Sequence, residues 1–167
     1  LQGIPALAVP AAIQAAVPER PKLTLQITVH QLRGDLPVRS NERLGGDGFR
    51  YLLDQGTWYS DAQYQHANTE TIVGHATLAI GAFPSAHGMV ANVWLDRRTD
   101  ELAYNIEDPR YRLLTAGASV DKKTEIDPTQ KAARTDGRSP RSILVSTFSD
   151  ELFVSNAGRS KVFGVSV

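Results

Sequence analysis

Asn68-Thr69-Glu70-Thr71-Ile72-Val73-Gly74-His75-Ala76-Thr77, then Gly81-Ala82-Phe83-Pro84-Ser85-Ala86-His87-Gly88 and Asn92, is the stretch that decides how this chain is read. A small hydroxyl residue opens an apolar, glycine-punctuated helix, a Pro-containing turn returns the chain, and a lone Asn leads into a strand. At a helix N-terminus the backbone N–H groups point outward and the dipole favours an anion. That position suits a nucleophile attacking phosphate. Thr is also an ordinary N-cap residue, so local pattern alone leaves Thr71 open between capping and chemistry. Ile72, Val73, Ala76, Ala79 and Ile80 supply the packing face. Gly74 within it costs about 1 kcal/mol against Ala, which suits close approach of backbone or ligand. His75 and His87 read as makers of structural hydrogen bonds rather than metal ligands.

On either side of this helix the pattern alternates. Leu23, Leu25, Ile27 and Val29 share one face of a strand, with Thr24, Gln26 and Thr28 opposite. The strand end delivers His30 to a loop, where ligands sit in open α/β sheets. Gly45-Gly46-Asp47-Gly48 opens a helix from Phe49 to Gln55 that Gly56 stops. That glycine cluster lacks Gly-Lys-Ser/Thr and is no phosphate cradle. Thr57 to Tyr64 reads as a strand, as do Val93 to Leu95 and Leu102 to Ile106, the last two joined by the turn Arg97-Arg98-Thr99-Asp100. Glu107-Asp108 and the run Arg134 to Arg141 read as solvated loop, and residues 109–138 as a long polar excursion on the surface. Ser139-Pro140 predicts a helix start, with Ile143, Leu144, Thr147, Phe148 and Leu152 on one face and Asn156-Ala157-Gly158 as its end. Val162 to Val167 then returns as a buried strand. This β-α-β-α order with a small antiparallel insertion predicts an α/β fold, a mainly parallel sheet with helices on both faces.

Composition removes several function classes. The 18 basic and 18 acidic residues cancel, leaving no electrostatic footprint for nucleic acid. The absence of cysteine removes thiolate metal sites, disulfides and Cys nucleophiles together. Residues 1–22 form an apolar Ala/Pro-rich leader, distinct from the domain over 23–167. Pro5, Pro10 and Pro18 break it, whereas a membrane span needs about 20 uninterrupted apolar residues. It reads as the start of a mature exported protein, periplasmic or secreted.

Thr-x-Thr, two apolar residues, Gly-His-small-Thr, Gly-x-x-Pro-x-x-His-Gly and a following Asn together resemble the nucleophile segment of the alkaline phosphatase superfamily. The resemblance is to bacterial alkaline phosphatases with a Thr nucleophile, related to type I phosphodiesterase/nucleotide pyrophosphatases. Leu25 to Asp35 resembles the family's first strand and exit loop, Gly48 to Gly56 its first helix, and Lys161 to Val167 the strand before its basic substrate motif. It implies an alkaline phosphatase-like fold, here incomplete, and a metal-dependent phosphate-ester hydrolase working through a phospho-threonine. Thr71 is then the nucleophile and also a zinc contact, Asn92 touches a phosphate oxygen, and two zinc ions complete the centre. The substrate is a phosphate-ester small molecule, whether monoester or diester being left open.

Two departures accompany the match. The family's strand exit carries a ligating Asp in Val-Asp-Gln, where this chain has Val29-His30-Gln31. Imidazole binds zinc through one nitrogen without negative charge, so His30 is either a ligand in place of that Asp or a vacated position. The family's remaining Asp and His ligands and its Lys-x-Arg pair have no counterpart, since the histidines are His30, His66, His75 and His87. The expectation is therefore an N-terminal portion with zinc weak or absent, inactive alone, whose partner is the remainder of the same enzyme. The alternative is a non-catalytic α/β fragment or degenerate relative acting through chain–chain association.

Overall fold

A computed structural model describes residues 22–115 and 121–166. The leader up to Pro21, and Val167 at the end of the last expected strand, lie outside the described residues. In chain order the elements are α1 (Leu36–Arg39), a single 3-10 turn (Asn41–Arg43), α2 (Phe49–Gln55), α3 (Thr71–Ile80), α4 (Pro84–His87), β1 (Val93–Asp96), β2 (Glu101–Tyr104), α5 (Pro128–Lys131) and α6 (Phe148–Ser155).

The glycine-opened helix forms as its sequence predicts. Gly48 caps α2 at φ 62°, ψ −126°, a conformation that a side chain would strain. Helix α3 runs into Gly81 in the left-handed region, which closes it with a bond from the Gly81 N–H to the Thr77 carbonyl. Packing of α3 on α4 buries Val73, Ala76, His87 and Met89. Strands β1 and β2 pair antiparallel, Val93 opposite Tyr104 and Asp96 opposite Glu101, around a turn in which Asp100 takes φ 56°.

The remaining expected strands differ. Among the described residues the one sheet is this two-stranded antiparallel ribbon. The segment 22–29 and the segment 161–166 form no strand, and Thr57 to Tyr64 is irregular. A strand exists only with a neighbour to take its N–H and C=O groups, and no described segment pairs with these as a strand. Leu23, Leu25 and Ile27 are consequently 78%, 72% and 71% exposed instead of packed on one face.

The helix after Ser139-Pro140 begins later, at Phe148. Thr147 is the N-cap, its hydroxyl accepting the Asp150 N–H at 3.3 Å while the Asp150 carboxylate accepts the Thr147 N–H at 2.8 Å. The Ser139 hydroxyl donates to Asp108 at 2.7 Å and accepts the Arg141 N–H at 3.3 Å, but only a turn follows it, and the reciprocal box at Thr147 sets the helix start. The chain leaves α6 as predicted, through Ala157 and Gly158 at positive φ, with the Gly158 N–H bonded to the Phe153 carbonyl at 2.8 Å.

Asp108 is not solvated, and Glu107 is only partly exposed. Asp108 is fully buried and accepts Arg110 Nε at 3.0 Å, Arg110 Nη2 at 2.9 Å and the Arg110 N–H at 3.1 Å. The Glu107 carboxylate takes the N–H groups of Arg134 and Thr135 at 2.7 and 2.6 Å. The basic run is thereby folded onto the acidic pair. Arg138 stacks on Tyr104 with its guanidinium carbon 5.3 Å from the ring centre, and Arg134 pairs with Glu101. Gly137 is required here, since a Cβ on it would lie 2.0 Å from the Asp108 carbonyl oxygen.

Candidate active site

Thr71 is the first residue of α3, and the N-cap is Glu70, which makes no side-chain capping bond. Capping therefore does not occupy the Thr71 hydroxyl, which makes no hydrogen bond among the described residues and belongs to an exposed residue. The Glu70 carboxylate is turned instead to the returning chain, where it accepts the Asn92 N–H at 2.6 Å. Asn92 answers toward α3: its Oδ1 accepts the Ile72 N–H at 3.1 Å. That bond fixes which way round the amide sits. The Nδ2 end is left with no hydrogen bond among the described residues. The Asn92 carbonyl is anchored from behind by Asn105, through its N–H at 3.2 Å and its Nδ2 at 2.7 Å.

A cleft of about 1000 Å³ opens at this point, and His30, Thr71 and Asn92 all line it, with Thr69, Glu70, Gly74 and His75. Three positions from separate parts of the sequence thus meet at one cavity. The short α3 residue Gly74 is where the helix is approached closely. Tyr64 Oη donates to its carbonyl at 3.3 Å, and a Cβ there would sit 3.4 Å from that same oxygen.

His30 follows the segment 22–29, which forms no helix or strand, and precedes Gln31, which takes φ 56°. Its ring meets His75 edge-on, with centroids 5.9 Å apart and planes at 77°. His75 is exposed and its side chain makes no hydrogen bond among the described residues, unlike the structural role predicted for it. His87 does take that role, in full burial, accepting the Met89 N–H at Nδ1 at 3.1 Å. Burial pushes the His87 imidazole below its ordinary range, with the nearby His66 adding to the effect.

Among the described residues no group of three His, Cys, Asp or Glu is placed to hold a metal ion. His30 and Thr71 at the cleft give one imidazole and one hydroxyl, where a zinc site takes three or four N, O or S donors, commonly with anionic charge. The two-zinc centre implied by the resemblance does not fit these residues by themselves.

Several residues of the site carry no motif that singles them out in the sequence. Glu70 stands between the two threonines, yet its bond to the Asn92 N–H joins the halves of the site. Asn68 uses its Oδ1 to accept the Glu70 N–H at 3.1 Å and its Nδ2 to reach the Val90 carbonyl at 2.6 Å. The readable signal was the Asn-x-Glu spacing, since Asn side chains bond the backbone two residues on.

Residues 24–149 match the family described as type I phosphodiesterase / nucleotide pyrophosphatase. Alkaline phosphatase PhoV of Synechococcus elongatus is 30% identical over 148 residues, 89% of this chain and 24% of PhoV. Alkaline phosphatase PafA of Elizabethkingia meningoseptica is 29% identical over 153 residues, 91% of this chain and 25% of PafA. A crystal structure of a substituted PafA superposes with a TM-score of 0.68 at 26% identity, over 81% of this chain and 24% of that one. The chain spans about a quarter of the length of these relatives. The fold is that of the corresponding part of PafA, and the match over 24–149 makes this chain a member of the type I phosphodiesterase / nucleotide pyrophosphatase family.

Proposed function

We propose that the protein hydrolyses phosphate esters with Thr71 as nucleophile and Asn92 as a donor to a phosphate oxygen. One observation carries this reading: the unoccupied Thr71 hydroxyl lies at the start of α3, in the cleft that Asn92 also lines, with the Asn92 Nδ2 end left for a ligand. The Thr71 hydroxyl gives up its proton to solvent and its oxygen bonds to phosphorus as the ester oxygen leaves, the departing alkoxide taking up a proton from solvent in return. Water then attacks the phospho-threonine, releasing phosphate and restoring the hydroxyl. Asn92 Nδ2 faces the negative charge that builds on the phosphoryl oxygens, and the positive end of the α3 dipole favours the same charge. Zinc dependence belongs to this reading as an expectation from the resemblance, and no step here is routed through it. So do the export to periplasm or medium, the mainly parallel sheet of the intact fold, and the inactivity of residues 1–167 alone.

Trapping tests the nucleophile. The intact protein, quenched during turnover of a 32P-labelled ester, is expected to carry label on the Thr71 peptide, and Thr71→Ala to lose label and most turnover. Thr69→Ala is expected to matter much less. Label on Thr69, or full activity in Thr71→Ala, would sink the assignment.

A second reading is a non-catalytic piece acting through chain–chain association. The exposed apolar residues Leu23, Leu25, Ile27 and Val29, on a segment outside any helix or strand, favour it, being open to further polypeptide. Turnover of an aryl phosphate by the intact protein separates the two.

A further inference from the structure

Behind the cleft, two imidazoles meet on one hydroxyl. Thr77 Oγ1 lies 3.1 Å from His87 Nε2 and 3.2 Å from His66 Nε2. The outer nitrogen of each ring has a backbone partner whose role is fixed. His87 Nδ1 faces the Met89 N–H at 3.1 Å, which can only donate. His66 Nδ1 faces the Asn68 carbonyl at 2.7 Å, which can only accept. With neutral rings, one pattern satisfies every atom. His87 accepts at Nδ1 and donates from Nε2 to Thr77, the Thr77 hydroxyl donates to His66 Nε2, and His66 donates from Nδ1 to Asn68. The two ends of the chain were fixed independently, and they agree on its direction.

The far end of this chain is the active cleft. Asn68, which receives the His66 proton donor, is the residue that clamps the Glu70 N–H and the Val90 carbonyl. Glu70 in turn holds the Asn92 N–H, and Asn92 holds the Ile72 N–H. The run from Met89 through His87, Thr77, His66, Asn68 and Glu70 back to Asn92 therefore closes a loop of side-chain bonds around the start of α3. His87 and Met89 are both fully buried, so this loop is anchored in the core at one end.

We propose that His66 and His87, joined through the Thr77 hydroxyl and held in one tautomeric state, are positioning residues that fix the Asn68–Glu70 loop against the Met89–Asn92 segment and so set the place of Thr71. The part concerning Thr71 rests on its reading as nucleophile. The loop's own lacing does not.

Nitrogen-15 NMR of the intact protein labelled in histidine reads the tautomers directly. The expected result is a neutral His87 with its proton on Nε2 and His66 with a proton on Nδ1. A proton on Nδ1 of His87, or on Nε2 alone of His66, overturns the proposal. Thr77→Val removes the bridging hydroxyl with little change of shape. It is expected to speed amide exchange at Glu70 and Asn92 about tenfold, leave α6 unchanged, and be rescued by Thr77→Ser. Unaltered exchange at those amides would mean the relay holds nothing in place. In kinetics with 4-nitrophenyl phosphate, Thr77→Val is expected to lower kcat about tenfold or more with KM little changed. No turnover by the unsubstituted protein would instead overturn the chemistry assigned to Thr71, with tautomers and exchange still deciding the relay.

Discussion

Asn92 Oδ1 accepts the N–H of Ile72, the residue that follows the candidate nucleophile, at 3.1 Å. One amide group thereby has two separable ends: Oδ1 caps the start of α3, and Nδ2 has no hydrogen bond among the described residues, on a side chain that lines the cleft.

Substitutions separate these roles. Asn92→Asp retains an oxygen for the Ile72 N–H and replaces the Nδ2 donor with a second, negatively charged acceptor. It is expected to leave thermal stability nearly unchanged and to lower kcat on an aryl phosphate by about a hundredfold or more, the scale for losing one transition-state donor. Asn92→Ala removes both functions and is expected to lower stability as well, by about 1 kcal/mol. Calorimetry and steady-state kinetics on the pair measure this. Equal activity in Asn92→Asp and the unsubstituted protein would restrict Asn92 to holding α3.

Residues 1–167 by themselves are expected to show no turnover of an aryl phosphate with added zinc. His30 and Thr71 at the cleft provide too few donors, and no three-residue ligand group exists among the described residues. Turnover by this chain alone that a chelator abolishes would contradict the expectation.

His30 offers a direct test of the departure from the family pattern. In the full-length protein His30→Asp is expected to tighten zinc binding, since an anionic oxygen offsets the charge of divalent ions that a neutral imidazole leaves uncompensated. The residue is exposed and lies outside any helix or strand, so the fold is expected to persist. Zinc titration of the two versions decides it. Equal or weaker binding by His30→Asp would make the imidazole a ligand in its own right, or move the metal elsewhere.

Local signals in the sequence were legible where the structure depends on local chemistry. Gly48 before α2, Gly56 after it and the Arg97 to Asp100 turn each act through the conformation of a few neighbouring residues, and these elements stand where the pattern puts them. The meeting of His30, Thr71 and Asn92 at one cleft was legible from motif order. Strands were not legible in the same way. Leu23 to Val29 has the alternation of a strand, but alternation specifies a face, not the neighbour that must cover it and take its hydrogen bonds. The burial of Asp108 was not legible because, beyond its local partner Arg110, the groups that reach it, Ser139 and Arg141, lie some thirty residues on, where nothing periodic points back to it.

The true start of α6 makes a compact stability test. Thr147→Ala removes the hydroxyl that accepts the Asp150 N–H and also loses the partner that, with the Thr147 N–H, holds the Asp150 carboxyl below the usual range. A loss of about 1 kcal/mol is expected in urea unfolding, with Ser139→Ala leaving the amide exchange of α6 unchanged. Faster exchange in α6 after Ser139→Ala would return the helix start to the Ser-Pro position.

Asp108 predicts how the fold responds to acid. Its carboxyl is held well below the usual carboxylate range, first by the side-chain bonds from Arg110, then by Ser139 and the Arg110 N–H, against the opposing effect of burial. In the unfolded chain the same group titrates near its ordinary value of about 3.9. Because the folded form gives up its proton more readily, this contribution is fully present above about pH 4 and is lost as pH falls from there toward the lower folded value. Asp108→Asn is therefore expected to be less stable than the unsubstituted protein at pH 7, where Arg110 and Arg141 lose their anionic partner. The gap should narrow steadily between pH 4 and pH 2. Other acid-sensitive carboxylates, such as Asp35 and Asp150, titrate in both proteins and cancel from the comparison. Urea midpoints measured across pH 2 to 7 for the pair read the difference. A gap that stays constant down to pH 2 would mean that the Asp108 bonds to Arg110 and Ser139 contribute through shape and hydrogen bonding alone, with its charge carrying no part of the stability.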